Sequence, residues 1–270
     1  MGSVAMAINK AMKSDSPYVT HLRVVAAMLA REMATRFGNK PGGYLWALLD
    51  PVANITIMTL VFSALAHMPA LGTSFPLFYA TGFLAFQFYN AVETYVASAT
   101  NANKTLFSYP NVAPFDAVVA RYLLQMGTTT MVACIVLGFV IYTTRVPPNL
   151  HWPPIIEAAF AASMLAFGAA LANNVLFSKY PIYEKIFVLV TRPLYLISGV
   201  FFLPDSIPHP FHEILLLNPL VHVLMLFRTG FYPEYRAESM DMGYLYGWVL
   251  VVFFLGMVIF RANAATLRGR

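Results

Sequence analysis

Long apolar runs with almost no formal charge inside them occupy 44–66, 75–99, 117–142, 155–177, 186–202 and 244–260 of this chain. A helix needs about 20 apolar residues to cross the hydrocarbon of a bilayer, and these runs have that length. Transmembrane strands would show segments of about ten residues with alternating polarity instead. Only 11% of the residues are charged and the mean hydropathy is +0.65, against about 25% charged in a soluble domain. Backbone groups in lipid must be satisfied within the segment. The expected fold is therefore all-α integral membrane, with six transmembrane helices.

Charge placement orients the spans. The first 43 residues hold Lys10, Lys13, Arg23, Arg31, Arg36 and Lys40 against Asp15 and Glu32. No apolar h-region follows the first basic residues, so a cleavable signal peptide is not expected. With six spans, this segment falls on one side with Lys104, Lys179, Lys185 and the C-terminal Arg261, Arg268 and Arg270. The positive-inside rule makes that side cytoplasmic, with both termini there. The stretch 211–232 is apolar enough for a seventh span, but that would move the C-terminal arginines outside. It also contains His212, Glu213, Asn218, Pro219 and His222. A periplasmic re-entrant helical hairpin between spans 5 and 6, broken near Asn218-Pro219, meets both constraints.

Two regions are assigned: 1–43, a cytoplasmic N-terminal segment, and 44–270, the transmembrane domain. In the first, HLRVVAAMLAREMATRF places Leu22, Val25, Met28, Leu29, Met33 and Phe37 on one helical face, with Arg23, Arg31 and Glu32 elsewhere. This is the pattern of a basic amphipathic helix at a membrane surface. A helix that only packs on other helices has the same pattern. In span 4, Ala158, Ala162, Ala166 and Ala170 recur every four residues, a stripe that lets helices approach closely.

The polar break 101–121, NANKTLFSYPNVAPFDAVVAR, separates spans 2 and 3 and is placed on the cytoplasmic side by Lys104. Span 2 carries Phe75, Tyr79, Phe83, Phe86, Asn90 and Glu93 on one helical face. Such a face either lines a sugar-conducting path, rings stacking on sugars, or packs against lipid and neighbouring helices. Arg192 lies inside span 5, where a charge needs protein or water around it. It meets either an anionic substrate or a structural partner such as Glu184.

Several chemistries lack their motifs. There is no G-x-x-x-x-G-K-[ST] phosphate loop, no His/Cys metal spacing and no G-x-S-x-G elbow. The acids Asp50, Glu93 and Glu157 are read as lying near span ends within reach of water, so a proton relay has little support. No catalytic residue, bound metal or nucleic-acid partner is expected. A membrane enzyme acting on lipid-linked sugars would have only His209, His212 and Glu213 to draw on.

The segments RFGNKPGGYLWALLDP, NKTLFSYPNVAPFDAVVAR, ISGVFFLPDSIP and LLNPLVHVLMLFRTGFYP resemble the ABC-2 type transporter permeases. The likeness is to their polysaccharide-export branch and its capsular polysaccharide exporters. It implies the permease subunit of an ATP-driven exporter that moves a lipid-linked capsular polysaccharide across a bacterial inner membrane to the periplasm. It further implies a homodimer, two copies of a separate ABC ATPase that bind the ATP and Mg, contacts with membrane lipids, and periplasmic or outer-membrane export partners. O-antigen or a teichoic-acid-like polymer are the alternative cargoes. By position, a cytoplasmic coupling helix over 101–116 meets the ATPase through Asn101, Asn103, Lys104, Phe107, Tyr109 and Pro110. The N-terminal interface helix, with Arg23, Arg31 and Arg36, is the second contact. Trp46, Tyr79, Phe83, Phe86, Asn90 and Arg192 line the channel.

Overall fold

The structure, a computed structural model, describes residues 17–37, 42–65, 68–109, 111–144 and 148–268. Pro110 and Lys40 lie outside the described residues. Those described form helices, turns and loops, with no strand among them. Helix α1 is Pro17–Phe37, α2 Tyr44–Leu65 and α3 Phe75–Ala97. A short helix α4, Ala99–Ala102, and a tight 3-10 turn, Lys104–Ser108, lead into α5, Pro114–Thr143. Then follow α6, Trp152–Lys179; α7, Pro181–Ile197; α8, Phe211–Leu216; α9, Pro219–Thr229; α10, Met242–Ala262; and α11, Ala264–Leu267.

Local chemistry sets the boundaries. Ser74 caps α3 by accepting the Leu77 N–H at 3.4 Å, Asn218 caps α9 through Leu220 N–H at 3.0 Å, and Asp241 caps α10 through Tyr244 N–H at 2.9 Å. Each satisfies a donor that a helix start leaves open. Pro219 occupies the first turn of α9, where its missing N–H costs nothing. The expected break at Asn218-Pro219 is thus a helix boundary between α8 and α9.

Among the described residues, four helices are long and apolar enough by length and composition to cross a membrane: Leu45–Leu65, α5, α6 and α10. The remaining two expected spans differ from these. Helix α3 has the length but is not among the four by hydropathy, and α7 is 17 residues long, starting at Pro181 and ending at Ile197 rather than running 186–202. Helices α3 and α6 form the centre. Helix α3 packs on α2, α5, α6 and α9, and α6 packs on α10 as well. All four alanines of the α6 stripe are fully buried. A second close approach, on another side of α6, is at Gly168, where a Cβ would lie 2.6 Å from the Cα of Phe253 on α10.

Helices α2 and α7 are peripheral. No residue of α7 is buried, and α2 exposes Leu60 and Leu65. One buried cation pins the far end of α7: Arg228 of α9 donates to the carbonyls of Gly199, Val200 and Phe202 at 2.7, 2.8 and 3.1 Å. Its guanidinium lies 4.4 Å from the Phe78 ring centre. Gly199, at φ +83°, takes the left-handed turn that ends α7 there.

Candidate functional site

Two features gather the polar side chains of this apolar bundle: the foot between α3 and α5, and a cavity between α3 and α7. The foot is two short turns, α4 and the 3-10 turn, rather than one helix. Asn101, Lys104 and Tyr109 are exposed there, Tyr109 by 62%. Asn103 and Phe107 are 1% and 5% exposed, which removes them from the surface open to a partner.

The buried residues of the foot hold it to the bundle. Phe107 packs with Met28 of α1 and Ala117 and Ala120 of α5. Above that cluster, the Glu32 carboxylate of α1 accepts from Arg121 Nε at 2.9 Å, Asn103 Nδ2 at 2.7 Å and Tyr95 Oη at 2.8 Å. Arg31 Nη1 donates to Asn103 Oδ1 at 2.8 Å, and Arg121 Nη1 donates to Ser98 Oγ at 2.9 Å. One acid therefore ties α1, α3, the foot and α5 together. Burial alone pushes the Glu32 carboxyl up. The donors from Arg121, Asn103 and Tyr95, with the Arg121 charge, outweigh it and hold the group below the ordinary carboxylate value.

A second polar anchor is Asn174 of α6. Its Oδ1 accepts from both the N–H and the hydroxyl of Thr100, each at 3.0 Å. Its Nδ2 donates to the carbonyls of Val96 and Ala170 at 2.9 and 2.8 Å. All four hydrogen-bonding positions of the amide are used, so the foot is fixed to α6 as firmly as to α1.

The interface helix differs from its expected orientation. Met28 and Glu32 face the protein, with Val24, Val25 and Leu29 partly buried beside them. Tyr18, Leu22 and Met33 face outward. Glu32 thus belongs to the packed side, a position its charge concealed. Arg36 reaches Gln125 Oε1 at 2.5 Å and stacks over Tyr95, 4.2 Å from the ring centre. Arg23 and Arg31 are exposed.

The cavity measures about 490 Å³ and brings together four of the expected channel residues, Phe83, Phe86, Asn90 and Arg192. Gln87, Glu93, Thr191 and Tyr195 complete much of its wall. Tyr79 is buried and lines a separate 190 Å³ pocket with Phe78 and Phe201, though it donates to Asn54 Oδ1 of the cavity wall at 2.7 Å and is hydrogen-bonded to Tyr195. Trp46 is elsewhere, beside Arg36 and Asp50 in a separate 240 Å³ pocket. Glu93 is 1% exposed and accepts from Asn173 Nδ2 at 2.7 Å, so it is an internal acid rather than one at a water-facing span end. Arg192 and Glu184 share the cavity wall without an ion pair between them. The result is a slot whose two helical walls each mix aromatic rings with polar groups, Phe83, Phe86, Gln87 and Asn90 on α3 and Phe187, Thr191, Arg192 and Tyr195 on α7. It suits a polar chain with flat apolar patches.

Among the described residues, no group of three or more His, Cys, Asp or Glu side chains has the geometry of a metal site. Tyr195 and Gln87 could have been found in the sequence, since Gln87 follows Phe83 by one turn and Tyr195 lies three residues after Arg192. Asn174 had no such signal, because its partner Thr100 is distant in the chain.

Residues 23–232 match the family model described as ABC-2 type transporter. The polysialic acid transport protein KpsM of Escherichia coli is 33% identical over 248 residues, covering 88% of this chain and 93% of that protein. The capsule polysaccharide export inner-membrane protein CtrC of Neisseria meningitidis is 24% identical over 243 residues, covering 88% and 89%. The O-antigen export system permease protein RfbA of Klebsiella pneumoniae is 24% identical over 258 residues, covering 92% and 94%.

Proposed function

The chain belongs to the ABC-2 type transporter family, and on that premise we propose that it is the inner-membrane permease subunit of an ABC exporter of capsular polysaccharide. The observation that carries this reading is a whole-length likeness to capsule-export permeases in a chain whose central cavity pairs aromatic rings with polar groups. The 33% identity to KpsM, against 24% to the O-antigen relative and to CtrC alike, is what favours capsule over O-antigen as cargo.

In this reading the six helices α2, α3, α5, α6, α7 and α10 cross the membrane, and both termini are cytoplasmic. Helices α8 and α9 form a re-entrant hairpin from the periplasmic side. Two copies of the chain assemble with two copies of an ATPase that binds ATP and Mg. The exposed foot residues Asn101, Lys104 and Tyr109 meet that ATPase. Asn103 and Phe107 act beneath them, passing displacement to α1, α3, α5 and α6 through Glu32, Arg121 and Asn174. Helices α2 and α7 are held more loosely and shift relative to this body, opening the cavity as half of a channel. Phe83 and Phe86 then stack on sugar rings, while Asn90, Gln87 and Arg192 take hydroxyls and acidic groups of the chain.

Deletion of the gene followed by fractionation tests this reading. Finished polymer should accumulate in the cytoplasm and vanish from the cell surface; absence of polymer from every fraction would point to an enzyme of its synthesis instead. Charge reversal, Lys104→Glu, should reproduce the accumulation with the protein still in the membrane.

A further inference from the structure

A second groove, also about 490 Å³, lies away from the cavity, where the start of α5 meets the end of α10. Its walls are Phe115, Met257, Phe260 and Ala264, its floor is Pro114, and its one charged residue is Arg261. Phe115 and Phe260 pack edge to face with ring centres 6.1 Å apart, leaving Phe115 37% exposed. Arg261 is exposed.

Three cations collect around this end of the bundle, and two are engaged. Lys179 Nζ donates to Asn263 Oδ1 at 2.6 Å, and Arg268 Nη2 donates to the Val112 carbonyl at 3.1 Å. The Arg261 guanidinium has no hydrogen bond or ion pair among the described residues. Asp116, the acid next along α5, is turned to the Ala113 N–H and to His21. The groove thus offers an apolar slot and one open guanidinium at its rim. Because α5 and α10 are both of membrane-crossing length, it stands at the height where acyl chains meet headgroups.

We propose that this groove is a binding site for one anionic phospholipid, its acyl chain against Phe115, Met257 and Phe260 and its phosphate on Arg261. The charge selects the occupant: a zwitterionic lipid carries its own cation to the rim, whereas a singly anionic phosphate pairs with Arg261. The lipid would rest against Pro114, the residue that joins the foot to α5, and so buttress that joint.

Native mass spectrometry of the full-length chain in detergent, with phosphatidylglycerol or phosphatidylcholine of the same acyl chains added at equal concentration, tests the site. The wild type should retain phosphatidylglycerol about fivefold better, the contribution of one basic residue at an anionic surface. Arg261→Gln should bring the two lipids level. Ala264→Trp, which fills the slot and leaves the guanidinium in place, should lower phosphatidylglycerol retention as well. Equal retention of the two lipids by the wild type would overturn the site. So would a preference that survives Arg261→Gln, or retention unaffected by Ala264→Trp in protein of unchanged circular dichroism.

Discussion

Glu32 and Arg121 are the pair whose chemistry the foot depends on most, since both are buried and each satisfies the other. Removing one partner of such a pair leaves an uncompensated charge and costs about 3–5 kcal/mol, whereas removing both with apolar residues of similar size is far milder. Glu32→Gln should therefore lower amide hydrogen-exchange protection across 99–109, and Glu32→Leu combined with Arg121→Met should recover most of it. The pH dependence has a definite sign. Because the Glu32 carboxyl sits below its ordinary 4.5 in the folded chain, its stabilisation is complete above that value and lost as the pH falls through the folded one. Protection factors in the foot should stay level from neutral pH to about 5 and drop below it, while Glu32→Gln shows no such step. In the sequence, Glu32 read as a surface charge on a basic helix. It was set apart from the face of Met28 although the two are four residues apart, because only the distant Arg121 and Asn103 make a carboxylate tolerable there. Arg192 was the reverse case: a charge within an apolar run called for protein or water around it, and it lies on the cavity wall with no ion pair to Glu184, the partner named for it.

Among the elements, the α6–α10 crossing depends on glycine at both surfaces. A Cβ at Gly256 would occupy the space of the Gly168 carbonyl oxygen, so the backbones touch where the helices cross. Gly256→Leu should separate α10 from α6 and destabilise the fold by several kcal/mol, and Gly256→Ala by about 1–3. Thermal unfolding in detergent measures both; a midpoint unchanged in Gly256→Leu would contradict this crossing. The alanine stripe of α6 was legible as a close-packing face, but Gly168, which makes this seam, lies on a different side of that helix. The α10 side was not legible either, since a lone glycine in an apolar run announces no partner. The four helices of membrane-crossing length were legible from their apolar runs. The ends of α7 were not, because they depend on Gly199 and on Arg228 reaching back from α9. The foot was legible as a polar break, but its division into two turns follows from Asn103 pointing inward to Glu32.

Across the whole molecule, the polar anchors divide the helices into two groups. Glu32 and Asn174 bind α1, α3, the foot, α5 and α6 into one body, to which the α10 seam adds a sixth member. Helices α2 and α7 border the cavity region from outside this body and expose long apolar faces, Leu60 and Leu65 on one and Ile182, Leu189 and Val190 on the other. On the proposed reading, in which the foot meets the ATPase, this division would supply a stiff lever to receive the stroke and looser walls to yield to it. The central claim is that this lever moves a polysaccharide when a separate ATPase supplies the energy. Inverted inner-membrane vesicles carrying the chain and its ATPase, loaded outside with the labelled lipid-linked polymer, measure that directly. On addition of ATP the polymer should become protected from an added glycosidase, and Lys104→Glu should abolish the protection. Polymer that stays fully digestible with ATP present, or that is protected equally in vesicles lacking this chain, would contradict the account.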